Sequence, residues 1–328
     1  MLNKIYRQFD TDFDVKPESE TDILKSLPRV RGRYSEDIDL SKLTWFRVGG
    51  SAQVLYKPAD LEDLKFFLQN KPKDLPVLTL GVGSNLLVRD GGIPGVVIRL
   101  NKGFANILVK GTSIDVGAGM LDRTVSFISC QENLAGLEFL SGIPGTIGGA
   151  LRMNAGCYGQ EIKDCLEVAF AIDGQGKFQT LTPEDMGFQY RYCAIPEDWI
   201  FIGARLKTKP GSGDLIQARI EELLTEREKA QPVKTRTGGS TFANPEGFKA
   251  WQLIDQAGCR GLRRGGAQVS DLHCNFLMNT GEATAQDLED LGEEVHKRVK
   301  QASGVDLSWE IKRVGVHRDT HYLKGSVA

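Results

Sequence analysis

Three polar side chains in this sequence stand where they could act on a substrate. Ser240 follows a glycine pair, so its hydroxyl can be presented with little steric cover. Arg191 lies between two tyrosines, and Glu310 lies between Trp309 and Ile311 in a strand-like pattern. A hydroxyl in a dry site can serve as a general acid or, beside a base, as a nucleophile. A guanidinium and a carboxylate in apolar surroundings can stabilise charge that develops during a reaction. For each residue taken alone, the commoner interpretation is structural: a turn residue for Ser240 and a solvent-facing strand position for Arg191 and Glu310.

Two glycine-rich segments could bind a phosphate group. Residues 81–85 (GVGSN) follow a predicted strand, and residues 142–150 read GIPGTIGGA. Backbone N–H groups in such turns can converge on an anion, because no Cβ keeps the anion away. Neither segment matches the Rossmann or Walker A pattern, and simple tight turns remain the alternative. The candidate cofactor-binding residues are Gly81, Gly83, Ser84, Asn85, Gly142, Gly145, Thr146, Gly148 and Gly149.

Cys259, His273 and Cys274 are the residues that could suggest a metal centre. Zinc sites use three or four ligands, usually including closely spaced cysteine pairs. None of the six cysteines forms a C-x-x-C pair, and His273 and Cys274 would point to opposite faces of a strand. We therefore expect neither a metal nor a Cys–His nucleophile, and the sparse cysteines favour a reducing, cytoplasmic compartment.

Composition excludes several classes of function. The chain of 328 residues carries 41 Lys and Arg against 43 Asp and Glu, a net charge of −2. This balance argues against a protein that coats nucleic acid, which needs clustered positive charge. No apolar run approaches the ~20 residues that cross a bilayer, and the N-terminus lacks the apolar core of a signal peptide. We expect two or three domains, with no nucleic-acid or membrane partner and no obligate protein partner.

The elements that must position these residues follow from periodicity and turn signals. The predicted strands are 76–80, 95–100, 112–118, 165–173, 199–208, 266–270, 275–280 and 307–314. Residues 173–176 (DGQG) predict a hairpin-type turn between two of these strands. The predicted helices are one that follows an Asp60 N-cap, then 120–134, 214–230, 246–257 and one that opens at Thr284. Composition changes at 209–213, which we predict to be a domain boundary.

In order along the chain, several short motifs are similar to those of a known family. They are WFRVGG at 45–50, GVGSNLL at 81–87, IPGTIGGA at 143–150, MNAG at 153–156, YR at 190–191, GSTFANP at 239–245, AWQLIDQAG at 250–258 and Glu310 before Val314-Gly315. From about residue 38 to 316 the chain thus resembles the UDP-N-acetylenolpyruvoylglucosamine reductase family. The resemblance implies an α+β fold, with an FAD-binding fold of the vanillyl-alcohol-oxidase (PCMH) type in two subdomains and an α+β substrate-binding domain. The expected division is a loosely ordered leader at 1–34, FAD-binding subdomains at 35–105 and 106–212, the substrate domain with its closing strand at 213–315, and a tail at 316–328.

The same resemblance implies a reaction. NADPH reduces FAD and leaves, and UDP-N-acetylglucosamine enolpyruvate then binds in the same site. Flavin N5 passes the hydride to C3 of the enolpyruvyl group, and Ser240 protonates C2, which yields UDP-N-acetylmuramate for peptidoglycan precursors. Arg191 and Glu310 match the pair that stabilises the enolate-like intermediate, and the two glycine-rich segments match the FAD loops. The implied substrate-binding residues are Tyr190, Asn244 and Lys229, with Arg227 as the alternative to Lys229 for a diphosphate.

Two departures from the family pattern and two other functions stay open. Cys193 stands where the family usually has serine, and Ala243 stands where it usually has lysine. Only 49 positions separate Arg191 from Ser240, which leaves little room for a substrate-capping insertion and predicts the compact subtype. The other functions are an oxidase of the same flavin superfamily and a flavin- or nucleotide-binding regulator without catalysis.

Overall fold

The N-terminal region of the chain is a mixed sheet covered by one helix. The computed structural model describes residues 23–100 and 102–318. The elements here are α1 (Ile23–Ser26), β1 (Arg33–Asp39), β2 (Ser51–Lys57), α2 (Leu61–Asn70), β3 (Val77–Thr79), β4 (Leu86–Val88) and β5 (Ile93–Ile98). Four strands form a sheet in the order β1-β2-β5-β3. Asp60 caps α2 as predicted, because its carboxylate accepts the Asp63 backbone N–H, and Leu64 and Phe67 of α2 face the core.

Residues 23–34 are packed against this sheet. Leu27 is buried in the same core as Phe67. The Asp63 carboxylate accepts the backbone N–H groups of Arg31 and Gly32 at 2.7 and 2.8 Å. The expectation of a loosely ordered leader is therefore wrong for residues 23–34. Local sequence does not reveal this, because Asp63, which binds the segment, lies some thirty positions away. Residues 1–22 of that leader lie outside the described residues, and so does residue 101.

The middle region is built on a five-stranded antiparallel sheet of order β12-β11-β13-β7-β6. Its elements are β6 (Ile107–Lys110), β7 (Ser113–Gly117), α3 (Asp122–Gln131), β8 (Leu134–Ala135), α4 (Ile147–Met153), β9 (Gly156–Cys157), β10 (Gln160–Glu161), α5 (Ile162–Cys165), β11 (Leu166–Ile172), β12 (Phe178–Leu181), β13 (Ile200–Lys207) and β14 (Lys209–Pro210). The predicted hairpin turn at 173–176 is present, since the Gly176 N–H donates to the Asp173 carbonyl.

The C-terminal region combines three helices with a small sheet. It contains α6 (Gly213–Ala230), α7 (Ala250–Gln256), β15 (Arg263–Arg264), β16 (Ala267–Val269), β17 (Leu277–Asn279), α8 (Ala285–Ser303) and β18 (Lys312–Val314). Thr284 opens α8 with a capping box, as predicted. Helix α7 is shorter than the predicted 246–257, because Gly247 has a φ of +76° and the turn at this point delays its start.

The predicted strand at 307–314 is correct only at its end. The Ala243 N–H donates to the Ser308 carbonyl, and the Glu310 N–H donates to the Thr241 carbonyl at 2.8 Å. Beyond Ile311 the chain changes partner, and β18 pairs in parallel with β4 of the N-terminal region. Glu310 therefore lies at the junction between two pairing partners, which periodicity within one segment does not reveal.

The C-terminal and N-terminal regions share a core. Phe46, Val48 and Leu87 are buried in one cluster with residues such as Phe242 and Leu291. Apolar contact thus joins the segment before the first glycine-rich loop to the C-terminal helices. The domain boundaries at 34, 105, 212 and 315 stay predictions.

Candidate active site

The first glycine-rich loop, residues 81–85, packs against the segment 43–45. The Trp45 N–H donates to the Gly83 carbonyl at 3.1 Å. Gly83 has a φ of +65°, and a Cβ there would lie 2.9 Å from the Leu43 carbonyl oxygen. Only glycine fits such a position, because it tolerates this φ and the close backbone approach. Ser84 and Asn85 follow it and are half-buried.

The second glycine-rich loop meets the first. It leaves a 3-10 helix at Gly142 and enters α4 after Thr146. A Cβ on Gly81 would lie 2.9 Å from the Thr146 hydroxyl oxygen, so the two loops face each other at this point. Gly148 packs against Ala118, and Gly149 is exposed at the start of the helix. The candidate cofactor-binding residues of both loops are therefore brought to one place.

Buried polar groups without partners surround the second loop. Both carboxylate oxygens of Asp122 and the Ser141 hydroxyl are buried and make no hydrogen bond within the described residues. A Cβ on Gly145 would lie 2.6 Å from Asp122 Oδ2, so the loop runs directly over this carboxyl group. Complete burial raises the pKa of Asp122 well above its usual range. Buried polar atoms normally have partners, so these groups fit a bound molecule that offers donors and acceptors, as FAD does.

Arg191 and Glu310 form a largely buried ion pair. Arg191 Nε donates to Glu310 Oε1 at 3.1 Å, and Arg191 Nη2 donates to the Gly156 carbonyl at 2.7 Å. The two side chains are 20% and 12% exposed, so the alternative of solvent-facing strand positions is wrong for both. Burial raises the pKa of Glu310, and the charge of Arg191 opposes this shift. Arg191 also has a φ of +55°, a strained conformation that tends to occur at functional sites.

Two residues that the sequence analysis gave no role hold the Arg191 turn. Asn154 is fully buried and donates from Nδ2 to Glu161 Oε2 and to the Gln189 carbonyl, both at 3.0 Å. Glu161 Oε1 lies 3.8 Å from Arg191 Nη1. The one sequence signal for this was the MNAG motif at 153–156, in which Asn154 ends α4 with a left-handed conformation.

The segment that carries Ser240 is paired with the segment that carries Glu310, through the backbone of Thr241. Ser240 forms an antiparallel bridge with Phe276, and Thr241 accepts the Glu310 N–H. Gly238 lets the chain pass close to Phe46, since a Cβ there would lie 2.4 Å from that ring. Within the described residues the Ser240 hydroxyl makes no hydrogen bond, so it is available to a ligand.

Asn85 connects the first glycine-rich loop to this group. Its Nδ2 donates to the Glu310 carbonyl at 3.1 Å and lies 3.6 Å from the Met153 sulfur. The Lys312 N–H donates back to the Asn85 carbonyl at 3.1 Å. The glycine-rich loops, the Arg191–Glu310 pair and the Ser240 segment therefore form one continuous site.

Two of the three predicted substrate-binding residues meet at the edge of this site. Asn244 Nδ2 donates to the Tyr190 hydroxyl at 3.3 Å, and the Arg191 guanidinium lies 4.8 Å from the Tyr190 ring centre. Lys229 is exposed near the end of α6, and no contact among the described residues joins it to the other site residues. Arg227, its alternative, is the more buried of the two, and burial lowers its pKa.

The residues considered for a metal do not assemble. Within 23–100 and 102–318, no three His, Cys, Asp or Glu side chains are grouped so that they could hold an ion. The His273 ring packs edge-on against Phe276 with centroids 4.8 Å apart, and burial lowers its pKa. In the same part of the chain, every helix is too short or too polar to cross a membrane.

Comparison with known proteins gives consistent results for both halves of the chain. A family model described as an FAD binding domain matches residues 52–182, and one described as the C-terminal domain of UDP-N-acetylenolpyruvoylglucosamine reductase matches residues 231–314. The UDP-N-acetylenolpyruvoylglucosamine reductase of Paramagnetospirillum magneticum is 60% identical over 92% of this chain and 98% of its own length. That of Parvibaculum lavamentivorans is 57% identical over 92% and 97%.

A solved structure agrees with these relatives. UDP-N-acetylenolpyruvylglucosamine reductase from Thermus caldophilus superposes with a TM-score of 0.76 at 36% identity, covering 87% of this chain and 99% of that one. The expected α+β class with an FAD-binding fold is thereby confirmed.

Proposed function

Since the chain belongs to the UDP-N-acetylenolpyruvoylglucosamine reductase family and is an FAD-dependent oxidoreductase, we propose that it reduces UDP-N-acetylglucosamine enolpyruvate to UDP-N-acetylmuramate with NADPH. The observation that carries this proposal is the buried Arg191–Glu310 pair next to Ser240 and the glycine-rich loops. The enolpyruvyl group carries a carboxylate, and charge grows on it when C3 accepts a hydride. A fixed guanidinium beside a free hydroxyl suits that chemistry.

Arg191 binds the substrate carboxylate in this proposal. The Glu310 carboxylate accepts a hydrogen bond from Arg191 Nε, and the Gly156 carbonyl accepts one from Arg191 Nη2. Two acceptors thus hold the guanidinium plane in place. A guanidinium has five N–H donors, and the remaining ones are available to a carboxylate. FAD, when bound across the glycine-rich loops, supplies the hydride.

Ser240 donates the proton to C2. Its hydroxyl makes no bond within the described residues, and its backbone is fixed by the bridge to Phe276. A serine is a weak acid, so it acts only when the accepting carbon has become strongly basic and water is excluded. Asn244 and Tyr190, which contact each other, bind the more distant part of the sugar nucleotide.

Glu310 is a positioning residue in this proposal. Its carboxylate fixes Arg191 Nε, and its backbone is held by Thr241 on one side and Asn85 on the other. NADPH and the sugar nucleotide use the site in turn, so each must leave before the other binds. The cytoplasm, which holds NADPH and keeps thiols reduced, suits a chain whose six cysteines are free.

The experiment compares the two half-reactions in Ser240→Ala. The purified protein should be yellow, and anaerobic stopped-flow should show flavin reduction by NADPH at an unchanged rate in the variant. Reoxidation by UDP-N-acetylglucosamine enolpyruvate should slow by about 10²–10⁴-fold, the usual contribution of general acid catalysis. Ser35→Ala, on β1 and away from the site, is the matched control.

Three outcomes would contradict the assignment. Unchanged turnover in Ser240→Ala would remove Ser240 from the proton transfer. A folded, colourless protein that cannot be reconstituted with FAD would refute the reductase itself, and oxygen consumption with an alcohol donor would favour the oxidase.

A further inference from the structure

A basic cleft lies outside the proposed catalytic and substrate-binding residues. It has a volume of about 700 Å³ and is lined by Ser41, Lys42, Trp45, Arg47, Val233, Lys234, Thr235 and Arg236. One wall therefore comes from residues 41–47, and the other comes from residues 233–236, which shortly precede Ser240. Four of the eight lining residues are basic and none is acidic, so the cleft is suited to an anion.

The two arginines of this cleft differ from its two lysines. Lys42 lies 3.3 Å from the Asp39 carboxylate, and Lys234 pairs with Glu228. Arg47 Nη1 donates to the Lys42 carbonyl at 2.8 Å, and Arg236 Nη1 reaches the Gly281 carbonyl at 3.5 Å. Within the described residues neither guanidinium has a carboxylate partner, so both keep full charge and several N–H donors. Paired, planar donors of this kind favour phosphate.

The lining of the cleft also contains one aromatic residue, Trp45, whose backbone contacts the first glycine-rich loop. Trp45 is half-buried, and its backbone N–H is fixed to the Gly83 carbonyl at 3.1 Å. An indole in the same cleft as guanidinium groups can stack on a nucleobase while the arginines bind a phosphate. The lining therefore matches the chemistry of a nucleoside phosphate.

The cleft is within reach of the proposed reaction site. Arg236 and Ser240 both pair with the same segment, at Asn279 and Phe276 respectively. Four residues span at most about 14 Å, which a bound dinucleotide can bridge. Asn244, proposed above for the sugar nucleotide, lies four residues from Ser240 in the other direction. The two ligands can therefore share the centre of the site and diverge at their distal ends.

We propose that this cleft binds the adenosine 2′-phosphate end of NADPH, with Arg47 and Arg236 on the 2′-phosphate and Trp45 against the adenine. The inference rests on the proposed function and adds to it the basis on which NADPH is selected over NADH. The 2′-phosphate is the part that distinguishes the two nucleotides, and arginine is a common partner for it.

Two measurements on the FAD-loaded protein test this inference. Calorimetry should show tighter binding of adenosine 2′,5′-bisphosphate than of adenosine 5′-monophosphate, and Arg47→Ala or Arg236→Ala should each reduce that preference about tenfold. In anaerobic stopped-flow, the same variants should lose preference for NADPH over NADH by a similar factor while the NADH rate stays constant. Arg236→Lys should keep part of the preference, and Arg219→Ala, an exposed arginine on α6, is the control.

Three results would overturn the inference. The first is an unchanged NADPH-to-NADH ratio in both variants. The second is a selective rise in KM for the sugar nucleotide, which would assign the cleft to its diphosphate. The third is loss of bound FAD, which would assign the cleft to the flavin nucleotide. If neither nucleotide reduces the wild-type flavin, the proposed function itself fails, and that outcome is distinct from the other three.

Discussion

Two buried Arg–Glu pairs in this molecule make different use of the same chemistry. Arg89 donates from Nε and Nη2 to the two oxygens of Glu289 at 3.1 and 2.9 Å, and the side chains are only 10% and 8% exposed. Arg313 adds a further contact to Glu289 at 3.2 Å. This pair joins the end of β4 to α8, so it links the N-terminal and C-terminal regions with its hydrogen-bonding capacity largely used.

The Arg191–Glu310 pair is left partly unsatisfied. It has one direct hydrogen bond, at 3.1 Å, and the other nearby carboxylate, Glu161, lies 3.8 Å from Nη1. The Arg191 backbone is also strained, whereas the structure records no such strain at Arg89. In this molecule the pair that links two regions is bidentate, whereas the Arg191–Glu310 pair, for which we propose a ligand-binding role, leaves N–H donors of Arg191 unused by Glu310.

The largest effects are expected from replacing Arg89 and Arg191. The first replacement should mainly lower stability, and the second should mainly slow the reaction with the sugar nucleotide. Arg89→Met leaves Glu289 buried with less compensation and should lower the free energy of unfolding by about 3–5 kcal/mol. Arg191→Met should change stability less, because it breaks one hydrogen bond to Glu310 rather than two, and Glu310, whose pKa burial already raises, can take up a proton. It should slow reoxidation by the sugar nucleotide by about 10²–10³-fold, because a donor aimed at developing charge is lost. Urea denaturation and stopped-flow measure the two quantities.

The comparison would fail if both variants lost stability equally or if Arg89→Met, while still folded, lost turnover as severely as Arg191→Met. Flavin reduction by NADPH in each variant serves as the internal control, since neither arginine is assigned to that step.

Glu310→Gln tests whether the buried carboxyl group of the Arg191–Glu310 pair lowers the stability of the fold. Burial raises the pKa of Glu310 above its ordinary 4.5. A raised folded-state pKa contributes stability below the unfolded-state value, and this contribution is lost as pH rises through the folded-state value. Glutamine does not titrate, so the variant should gain stability relative to wild type as pH rises from about 4 towards neutrality.

Glu293→Gln is the matched control for this pH series. Hydrogen bonding to His296 and the charge of Arg313 lower the pKa of Glu293, against the effect of burial. Its ionised form therefore stabilises the fold above the unfolded-state pKa, and the variant should lose stability relative to wild type over the same pH interval. Parallel curves for wild type and Glu310→Gln would refute the assignment of Glu310 as a destabilising buried carboxyl.

The smallest effect is expected at Cys193, two residues after Arg191, where the family usually has serine. Cys193 is buried among apolar residues, and burial raises its pKa. Cys193→Ser should cost about 1–3 kcal/mol, because a hydroxyl in that environment lacks a partner, and should leave turnover within a few-fold of wild type. Thermal melting and steady-state rates measure this, with Cys193→Ala as control. A large rise in turnover would instead show that the hydroxyl supports Arg191.

Local signals predicted those parts of the fold that depend on neighbouring residues. The helix expected at 214–230 is observed at Gly213–Ala230, and the Asp60 and Thr284 caps are both present. Apart from the start of α7, which a turn at Gly247 delays, the errors occur where a distant partner decides the structure. Residues 23–34 are held by Asp63, and the closing strand is divided because its first part pairs with the Ser240 segment.

The candidate site shows the same division. Glycine-rich loops and a hydroxyl after a glycine pair are readable in the sequence, and the ordered motifs identified the family. The contacts of Glu161 and Asn85 with the Arg191–Glu310 pair, and the bonds from Asn154 to Glu161 and the Gln189 carbonyl, were not predicted, because no local pattern relates the segments that they join.

The order of residues by itself determined which chemical groups are available: hydroxyl, guanidinium, carboxylate and loops without side chains. Only the tertiary structure decided that Arg191 and Glu310, 119 positions apart, share a hydrogen bond while Arg89 is committed to Glu289. The physical reason is that secondary structure arises from interactions between near neighbours, whereas burial and ion pairing depend on which distant segments the core brings together.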